Sequence, residues 1–263
     1  MEFDRAWYTH PGSHHQNQDA LEIAEEPGSF LAAALCDGLG GMGGGREAGQ
    51  FCAHQTIGHL HDAVFQLRAD GPVPEPGMCD RPGTGEPGAN LAAAAITQTA
   101  AAFAELQSQD AGLVSARSTA LALALTNRRL DWATIGDTRL YHFRSGHLAT
   151  VSPDDSAGHA AFERGEVDHE GIRMWPGRGI LTTCLGEDLP IEPHFGTVET
   201  QNGDAILACT DGLWQYVWDL EIEIDLVKSA SAAEWLDAML VRLVERSHLD
   251  GDNLTALAVI VEE

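Results

Sequence analysis

The chain has 263 residues, with 40 acidic against 15 basic side chains and a formal net charge of −25 at neutral pH. This length buries a full hydrophobic core in one large or two small domains, and the negative field argues against nucleic acid and anionic membrane surfaces as partners. The sequence has no basic, apolar leader, no apolar run long enough to span a bilayer and no C-x-x-C pair, which predicts a cytoplasmic protein without a disulfide framework.

The first predicted elements are a buried strand over residues 30–36 and a helix over residues 46–69, where apolar side chains recur at helical spacing. Residues 70–89 are dense in proline and glycine, a composition typical of a surface loop. An alanine-rich helix is predicted to follow over residues 90–107. We interpret the loop as a connection between two helices rather than as a domain linker, because neither flanking half of the chain looks self-contained.

Strands dominate the remainder of the chain. They are predicted over residues 119–126, 130–135, 139–143, 205–209 and 254–261. Short polar turns separate the first three, which favours antiparallel hairpins, and the last strand is apolar on both faces and is predicted to be central. A capping box from Ser231 to Glu234 predicts a final helix. Neighbouring strands with long helices outside them predict an α+β layered sandwich, formed by residues 1–263 as one domain.

Three aspartates share one local design, a carboxylate beside an apolar strand. Asp37 and Asp211 each follow an apolar run and precede a glycine, and Asp252 lies just before the last strand. Hard divalent cations such as Mg²⁺ and Mn²⁺ take carboxylate, carbonyl and water oxygens as ligands. Two such ions roughly 3.5 to 4 Å apart polarise a phosphoryl group and ionise a water. The pattern therefore indicates a metal site suited to phosphoryl chemistry.

Other interpretations of these segments have less support. Asp-Gly is also a common turn pair, so a single pair indicates no more than a turn. Residues 38–43 fit the glycine pattern of dinucleotide-binding proteins, but no acidic strand end follows about 20 residues later and the neighbouring strands are predicted to be antiparallel. No serine or cysteine lies in a recognisable nucleophile elbow, so covalent hydrolysis is not supported.

Eight short segments carry a further signal because of their order along the chain. They are Asn17-Gln18-Asp19-Ala20, Cys36-Asp37-Gly38-Leu39-Gly40-Gly41, Ser118-Thr119-Ala120, Gly136-Asp137-Thr138-Arg139-Leu140-Tyr141, Val151-Ser152-Pro153-Asp154-Asp155-Ser156, Leu185-Gly186, Thr210-Asp211-Gly212-Leu213-Trp214 and Asp252-Asn253-Leu254-Thr255. Together they resemble the motifs of the metal-dependent (PPM, type-2C) serine/threonine protein phosphatase family, in its bacterial stand-alone form. The resemblance implies two antiparallel sheets flanked by helices, an α/β/β/α sandwich.

The resemblance also implies a role for most of the aspartates. Asp37 would bridge two Mg²⁺ or Mn²⁺ ions and Gly38 would lend its carbonyl oxygen to one of them. Asp211 and Asp252 would complete the other ion. The hydroxide between the metals would attack the phosphorus of phosphoserine or phosphothreonine in line, without a phosphoenzyme intermediate. All four residues are therefore candidate metal ligands, and the three carboxylates are candidate catalytic groups.

Two further aspartates and two glutamines complete the comparison with the family motifs. Asp19 would orient metal-bound water without binding a metal itself and is the fourth candidate catalytic residue. Asp137, with Asp211, would hold the weaker third ion seen in many members. Gln215 stands where an acidic residue is often found, which argues against that third ion. Gln18 replaces a glutamate and keeps the side-chain oxygen while losing the charge.

His14 is the main departure, because it stands where family members usually carry an arginine that binds the substrate phosphate. Arginine offers a permanent bidentate fork, whereas histidine is charged only below about pH 6.5. We therefore predict that His14 binds phosphate weakly, and better as the pH falls from about 8 to about 6.5. Arg5 and Arg178 are the alternative cations.

The resemblance implies a cytoplasmic monomer that acts on phosphoproteins, with a serine/threonine kinase or its targets as partners. Residues 163–178 fall where the family carries a mobile flap, and their glycine and proline content favours a gate beside the active site. The rival hypothesis is a catalytically weak relative that binds phosphoproteins without turnover. His14 is its one support, while the full set of aspartates argues against it. A dinucleotide oxidoreductase is the third hypothesis.

Overall fold

The computed structural model describes residues 2–40, 43–69, 89–126, 128–187 and 190–262. All but the last residue of the predicted loop over residues 70–89 lies outside the described residues, as does Gly41 of the glycine-rich motif. Within the described ranges, no helix combines the length and the apolar character needed to cross a lipid bilayer.

The first sheet has five strands, and all its neighbouring strands run antiparallel. In spatial order they are β1 (Glu2–His10), β11 (Leu254–Glu262), β10 (Ala205–Cys209), β7 (Arg139–Arg144) and β8 (His147–Val151). The central position predicted for the last strand is confirmed, because β11 pairs with β1 on one side and with β10 on the other. The sequence analysis missed β1 and β8, which are edge strands with exposed or half-exposed side chains and no continuous apolar run.

The second sheet has six strands and is also antiparallel. In spatial order they are β2 (Asp19–Glu26), β3 (Phe30–Leu39), β5 (Ala120–Thr126), β6 (Arg129–Ile135) and β9 (His194–Glu199), with β4 (Arg117–Ser118) paired to the end of β3. The three central strands are buried almost throughout, so their apolar runs predicted them. The edge strands β2 and β9 are half-exposed and were missed.

The chain changes sheets between β6 and β7, and here one prediction was wrong. The strands β5 and β6 do form an antiparallel hairpin, but β7 pairs with β8 and β10 in the other sheet instead of with β6. Gly136 turns the chain with a φ of 93°, and a Cβ at this position would lie 2.6 Å from the Thr119 side chain, so only glycine fits. The change of sheet leaves Asp137 in the connection between the two sheets.

An apolar layer between the two sheets forms the middle of the core. Leu31, Leu35 and Leu123 of the second sheet share this layer with Ile206 and Leu257 of the first, and all five are at most 1% exposed. Close-packed interiors of this kind are stiff. The layer therefore fixes the strand ends of one sheet relative to those of the other.

Helices cover the outer faces of both sheets. The second sheet is covered by α1 (Gly45–Ala69) and α2 (Leu91–Gln109), the first by α5 (Asp219–Lys228) and α6 (Ala232–Ser247), and α3 (Ala157–Glu163) and α4 (Asp211–Trp214) are short helices in connections. This arrangement confirms the predicted α+β fold, an α/β/β/α sandwich of two antiparallel sheets flanked by helices.

The caps of two helices agree with the sequence in part. Asn90 accepts a hydrogen bond from the Ala93 amide at 2.9 Å, which satisfies one free donor at the start of α2. Ser231 accepts from the Glu234 amide at 3.2 Å, as its position predicts. The Glu234 carboxylate, however, accepts from the Ala230 amide at 2.8 Å rather than from Ser231. Only half of the predicted capping box therefore forms.

Candidate active site

Two of the predicted aspartates are paired across neighbouring strands. Asp19 begins β2 and lies opposite Asp37 of β3 in the antiparallel register. Side chains at opposite positions of such a pair lie on the same face of the sheet. Thr119 fixes the backbone of Asp37, because its hydroxyl accepts from the Asp37 amide at 2.9 Å and its amide donates to the Asp37 carbonyl at 2.8 Å.

Gly38 lies where the start of α1 approaches β3. A Cβ at this position would lie 1.9 Å from the carbonyl oxygen of Gly45, the first residue of α1. A Cβ on Gly45 would in turn lie 2.7 Å from the side-chain nitrogen of Gln18. The glycine after Asp37 is therefore required by the close approach of a helix, which a turn pair alone would not explain.

Asp211 and Asp252 are brought together by the pairing of β10 with β11. Asp211 is separated from the end of β10 by Thr210 and is the first residue of α4, whereas Asp252 lies in the turn before β11. Gly212 allows the two segments to touch, because a Cβ there would lie 2.1 Å from the carbonyl oxygen of Asn253. As at Gly38, the glycine beside the aspartate permits close backbone contact.

Four of the predicted aspartates line one cleft of about 390 Å³. They are Asp37, Asp137, Asp211 and Asp252, and the other lining side chains include Leu39, Arg178, Ile180, Leu181 and Gln215. Asp19 lines a neighbouring groove of about 490 Å³ with Asn17 and His15. The structure thus brings the predicted carboxylates to one end of the sandwich, although they are far apart in sequence.

Burial and mutual repulsion raise the pKa of most of these carboxyl groups. Burial, followed by repulsion from Asp19 and Asp211, holds the pKa of Asp37 well above its usual range. Burial also raises the pKa of Asp19 and of Asp137 to about 7. For Asp211, burial and then repulsion from Asp137 raise the pKa well above its usual range. A bound cation would reverse these shifts by stabilising the charged forms.

The donor set fits hard divalent cations. One buried carboxylate oxygen of Asp19 and one of Asp211 have no hydrogen-bond partner, which is costly for a buried acceptor unless a ligand meets it. Among the described residues, no three acidic, histidine or cysteine side chains converge on one point. Mg²⁺ does not need such convergence, because it keeps several waters and takes only one or two protein carboxylates.

Neutral residues that hold the aspartates were missed as site residues by the sequence analysis. Thr210 donates its hydroxyl to one carboxylate oxygen of Asp19 at 3.0 Å and accepts from the Thr255 amide at 2.9 Å. Asn253 accepts from the Gln18 amide at 2.7 Å and so ties the loop before β2 to the turn before β11. The signal was present, because all these residues belong to the quoted motifs.

The three candidate cations occupy different places. His14 lies 3.3 Å from Asp252, and both side chains are more than half exposed, so this pair is at the rim of the site. Arg5 is paired with Glu25 across the edge strands β1 and β2. Arg178 alone among the three lines the cleft.

A family model described as Protein phosphatase 2C matches residues 8–257. The chain therefore belongs to the protein phosphatase 2C family, which confirms the resemblance drawn from the eight motifs. The dinucleotide oxidoreductase hypothesis is thereby set aside.

Named relatives and solved structures agree with this membership. The serine/threonine phosphatase stp of Listeria welshimeri is 25% identical over 245 residues, which cover 93% of this chain and 90% of that protein. The serine/threonine protein phosphatase PstP of Mycobacterium tuberculosis is 29% identical over 231 residues, 87% of this chain but only 40% of that protein. A crystal structure of the Mycobacterium tuberculosis phosphatase PstP/Ppp superposes with a TM-score of 0.78 at 26% identity, covering all of both chains. The catalytic domain of PstP in complex with two manganese ions has the same fold, with a TM-score of 0.73 at 23% identity over 99% of each chain.

Proposed function

We propose that this chain hydrolyses phosphoserine and phosphothreonine in proteins with two Mg²⁺ or Mn²⁺ ions held by Asp37, the Gly38 carbonyl, Asp211 and Asp252. The observation that carries the proposal is the meeting of the aspartates in one cleft, where burial raises the pKa of Asp37 and of Asp211. Asp137 is the proposed ligand of a weaker third ion, together with Asp211.

The residues of the chain itself would position the metal ligands and accept a proton from water. When bound, the two ions would supply an ionised water and positive charge for the phosphoryl oxygens. Asp19 has one carboxylate oxygen held by Thr210 and the other without a partner, so the free oxygen is available to accept a proton from water beside Asp37. The Asp37 backbone is fixed to Thr119 by hydrogen bonds, which limits the movement of its side chain at the cleft.

A cysteine nucleophile has no support within the described residues. Cys36, Cys52, Cys184 and Cys209 are all buried, and burial raises the pKa of each thiol, that of Cys52 and of Cys184 to about 12. The thiolate is the nucleophilic form of cysteine. Burial therefore disfavours the thiolate form of all four, which favours attack by water over a covalent intermediate.

The segment over residues 163–178 is the proposed flap. It was predicted from its position in the family pattern and from its loop composition, and it contains a turn of 3₁₀ helix at Glu170–Met174. Arg173 anchors this turn by pairing with Asp219 of α5. Gly177 and Arg178, at the end of the segment, line the cleft. An anchored base with glycines at its tip is consistent with a gate that admits a phosphorylated side chain.

The proposed partners are phosphoproteins, among them a serine/threonine kinase or its targets, met by a cytoplasmic, monomeric single-domain enzyme. The competing function is phosphoprotein binding without turnover. The observation in its favour is that His14 occupies the rim position of the expected arginine and is itself paired with Asp252. The experiment below distinguishes the two functions.

The test is metal-dependent turnover by protein stripped of metal with EDTA. Hydrolysis of p-nitrophenyl phosphate and of a phosphothreonine peptide is measured with Mn²⁺, Mg²⁺ or EDTA. The same assays are run on Asp37→Asn and Asp211→Asn, with Asp237→Asn on the exposed face of α6 as the matched control.

We expect turnover with either metal and none with EDTA. Both site variants should lose activity while the control keeps it. A folded protein that binds the phosphopeptide but does not turn it over with any metal would instead identify a binding module.

A further inference from the structure

The aspartate-lined cleft contains one positively charged side chain among the described residues that line it, Arg178. Its backbone position is well fixed. The Arg178 amide donates to the Trp175 carbonyl at 3.1 Å, and a Cβ on Gly158 of α3 would lie 3.3 Å from the Arg178 Cα. The arginine therefore enters the cleft from the flap segment with its backbone packed against α3.

Gln215 holds the guanidinium group in place. The Nε and one Nη of Arg178 both donate to the Gln215 side-chain oxygen, at 3.2 and 3.1 Å. The Gln215 side-chain nitrogen donates to Asp211 at 2.5 Å. Both ends of the amide are engaged, so its orientation is determined, and the other Nη of Arg178 is left with no protein partner among the described residues.

Because Gln215 is uncharged, it holds the Arg178 guanidinium without neutralising its positive charge. Residue 215 lies four positions after Asp211, at the end of the single turn of α4, so both side chains lie on one face. An acidic residue at this position would form an ion pair with Arg178 and offset its charge. The glutamine links Asp211 to Arg178 through hydrogen bonds. Among the described residues, no carboxylate bonds the guanidinium directly.

We propose, resting on the function proposed above, that Arg178 binds the phosphate group of the substrate and of the product, and that Gln215 is its positioning residue. A guanidinium presents planar, paired N–H donors that match phosphoryl oxygens. His14 is on the rim against Asp252, and Arg5 is engaged with Glu25. The cation needed to bind the phosphate thus comes from the flap side of the cleft rather than from the loop before β2.

The experiment measures binding of inorganic phosphate, the product. Its inhibition constant against p-nitrophenyl phosphate is determined with Mn²⁺-loaded protein, and its binding is measured directly by calorimetry on the same sample. The variants are Arg178→Ala, Arg178→Lys, Gln215→Ala and the Arg178→Ala/Gln215→Ala double variant. Arg128→Ala, which removes an exposed arginine paired with Glu199 outside the cleft, is the matched control, and His14→Ala tests the rival phosphate-binding cation. Thermal unfolding with and without Mn²⁺ checks that each variant folds and loads metal.

We expect Arg178→Ala to weaken phosphate binding by about 10- to 100-fold, the effect of losing charge-assisted hydrogen bonds. Lysine should restore part of this loss, since it keeps the charge without the fork. Gln215→Ala should weaken binding by about 3- to 10-fold and should add nothing when Arg178 is already alanine. The control Arg128→Ala should change binding by less than about twofold, and His14→Ala should weaken binding less than Arg178→Ala does.

Two results would overturn the proposal. One is unchanged phosphate binding in a folded, Mn²⁺-binding Arg178→Ala protein, above all if His14→Ala weakens binding instead. The other is an effect of Gln215→Ala that persists fully in the double variant, which would mean that the glutamine acts without the arginine. The direct binding measurement does not require turnover, so failure of the proposed function and failure of this inference remain distinguishable.

Discussion

Two groups of buried carboxylates in this molecule have different surroundings. Beneath the flap, Arg139 and Asp154 form a bidentate pair at 2.8 and 2.6 Å with both side chains 1% exposed, and the guanidinium lies 3.7 Å from the centre of the Trp214 ring. In the aspartate-lined cleft, Asp37 and Asp211 face other acids, and no cation bonds them directly within the described residues.

The pKa values of the two groups of carboxylates differ in the same way. Burial alone would raise the pKa of Asp219 beneath the flap, but the hydrogen bond from His169 and the charge of Arg173 outweigh it and the pKa is lowered. In the cleft, burial and repulsion act together and the pKa of Asp37 is raised. The absence of a directly bonded cation at Asp37 and Asp211, rather than the number of acids, therefore distinguishes the proposed ligand site from a structural ion pair.

The largest effect on stability is expected beneath the flap. Arg139→Ala leaves Asp154 buried and unpaired and should cost about 3 to 5 kcal/mol in the free energy of unfolding, measured by urea unfolding of metal-free protein. Arg164→Ala is the control, because that arginine forms an exposed pair with Glu166 and should leave the unfolding curve unchanged. Equal losses in the two variants would contradict this account of the buried pair.

Removing a carboxylate from the cleft is expected not to destabilise metal-free protein. Asp211→Asn removes a buried charge that lacks a cation, so metal-free protein should unfold at the same temperature as the unmodified chain or at a higher one. Activity with Mn²⁺ should nevertheless fall by at least about 100-fold, and Mn²⁺ should stabilise the variant less. A variant that is destabilised without metal yet still stabilised fully by Mn²⁺ would place Asp211 in the scaffold instead.

The pH dependence of metal-free protein should reflect Asp137. Its pKa is about 7 in the folded chain against an ordinary value of 3.8, so the unfolded chain loses this proton first. Stability is then present below about pH 4 and is lost as the pH rises through about 7. The advantage of Asp137→Asn over the unmodified chain should grow across that window by about 1 to 4 kcal/mol, as followed by urea unfolding at several pH values. A constant difference would contradict the raised pKa.

Asp204 is expected to have a smaller effect on the pH dependence of stability, and of opposite sign to that of Asp137. Burial disfavours its charge, but hydrogen bonds from His142 and Arg144 outweigh burial and lower its pKa from 3.8 to about 2. Its contribution to stability is therefore present above pH 3.8 and is lost as the pH falls through about 2. Asp204→Asn should cost about 2 kcal/mol at neutral pH, and the cost should shrink in acid unfolding experiments. A cost that grows in acid would contradict the lowered pKa.

The sequence predicted the parts of the site that depend on local pattern. Asp37, Asp211 and Asp252 each sit beside an apolar strand, and the glycines at 38 and 212 are required by the backbone contacts that the structure shows. The buried central strands were also predicted, because their apolar runs are continuous. The order of the motifs then supplied the family, which no single motif could have done.

What the sequence did not predict depends on contacts between distant segments. Nothing in residues 130–143 indicates that the chain leaves one sheet for the other at Gly136, since a short turn serves a hairpin equally well. The contact between Arg178 and Gln215 joins residues 37 positions apart and depends on how the flap packs against α3. Edge strands such as β1 were missed because half-exposed side chains carry little hydrophobic signal.

Titration of metal-free protein with Mn²⁺ shows whether the aspartates of the cleft hold catalytic cations. Calorimetry is run near pH 7 in two buffers of different ionisation enthalpy, with turnover of a phosphothreonine peptide followed on the same samples. We expect saturable binding of at least two ions, release of protons from carboxyl groups whose pKa is raised, and turnover that rises with occupancy. Turnover that persists in EDTA, or Mn²⁺ binding without proton release and without turnover, would contradict it.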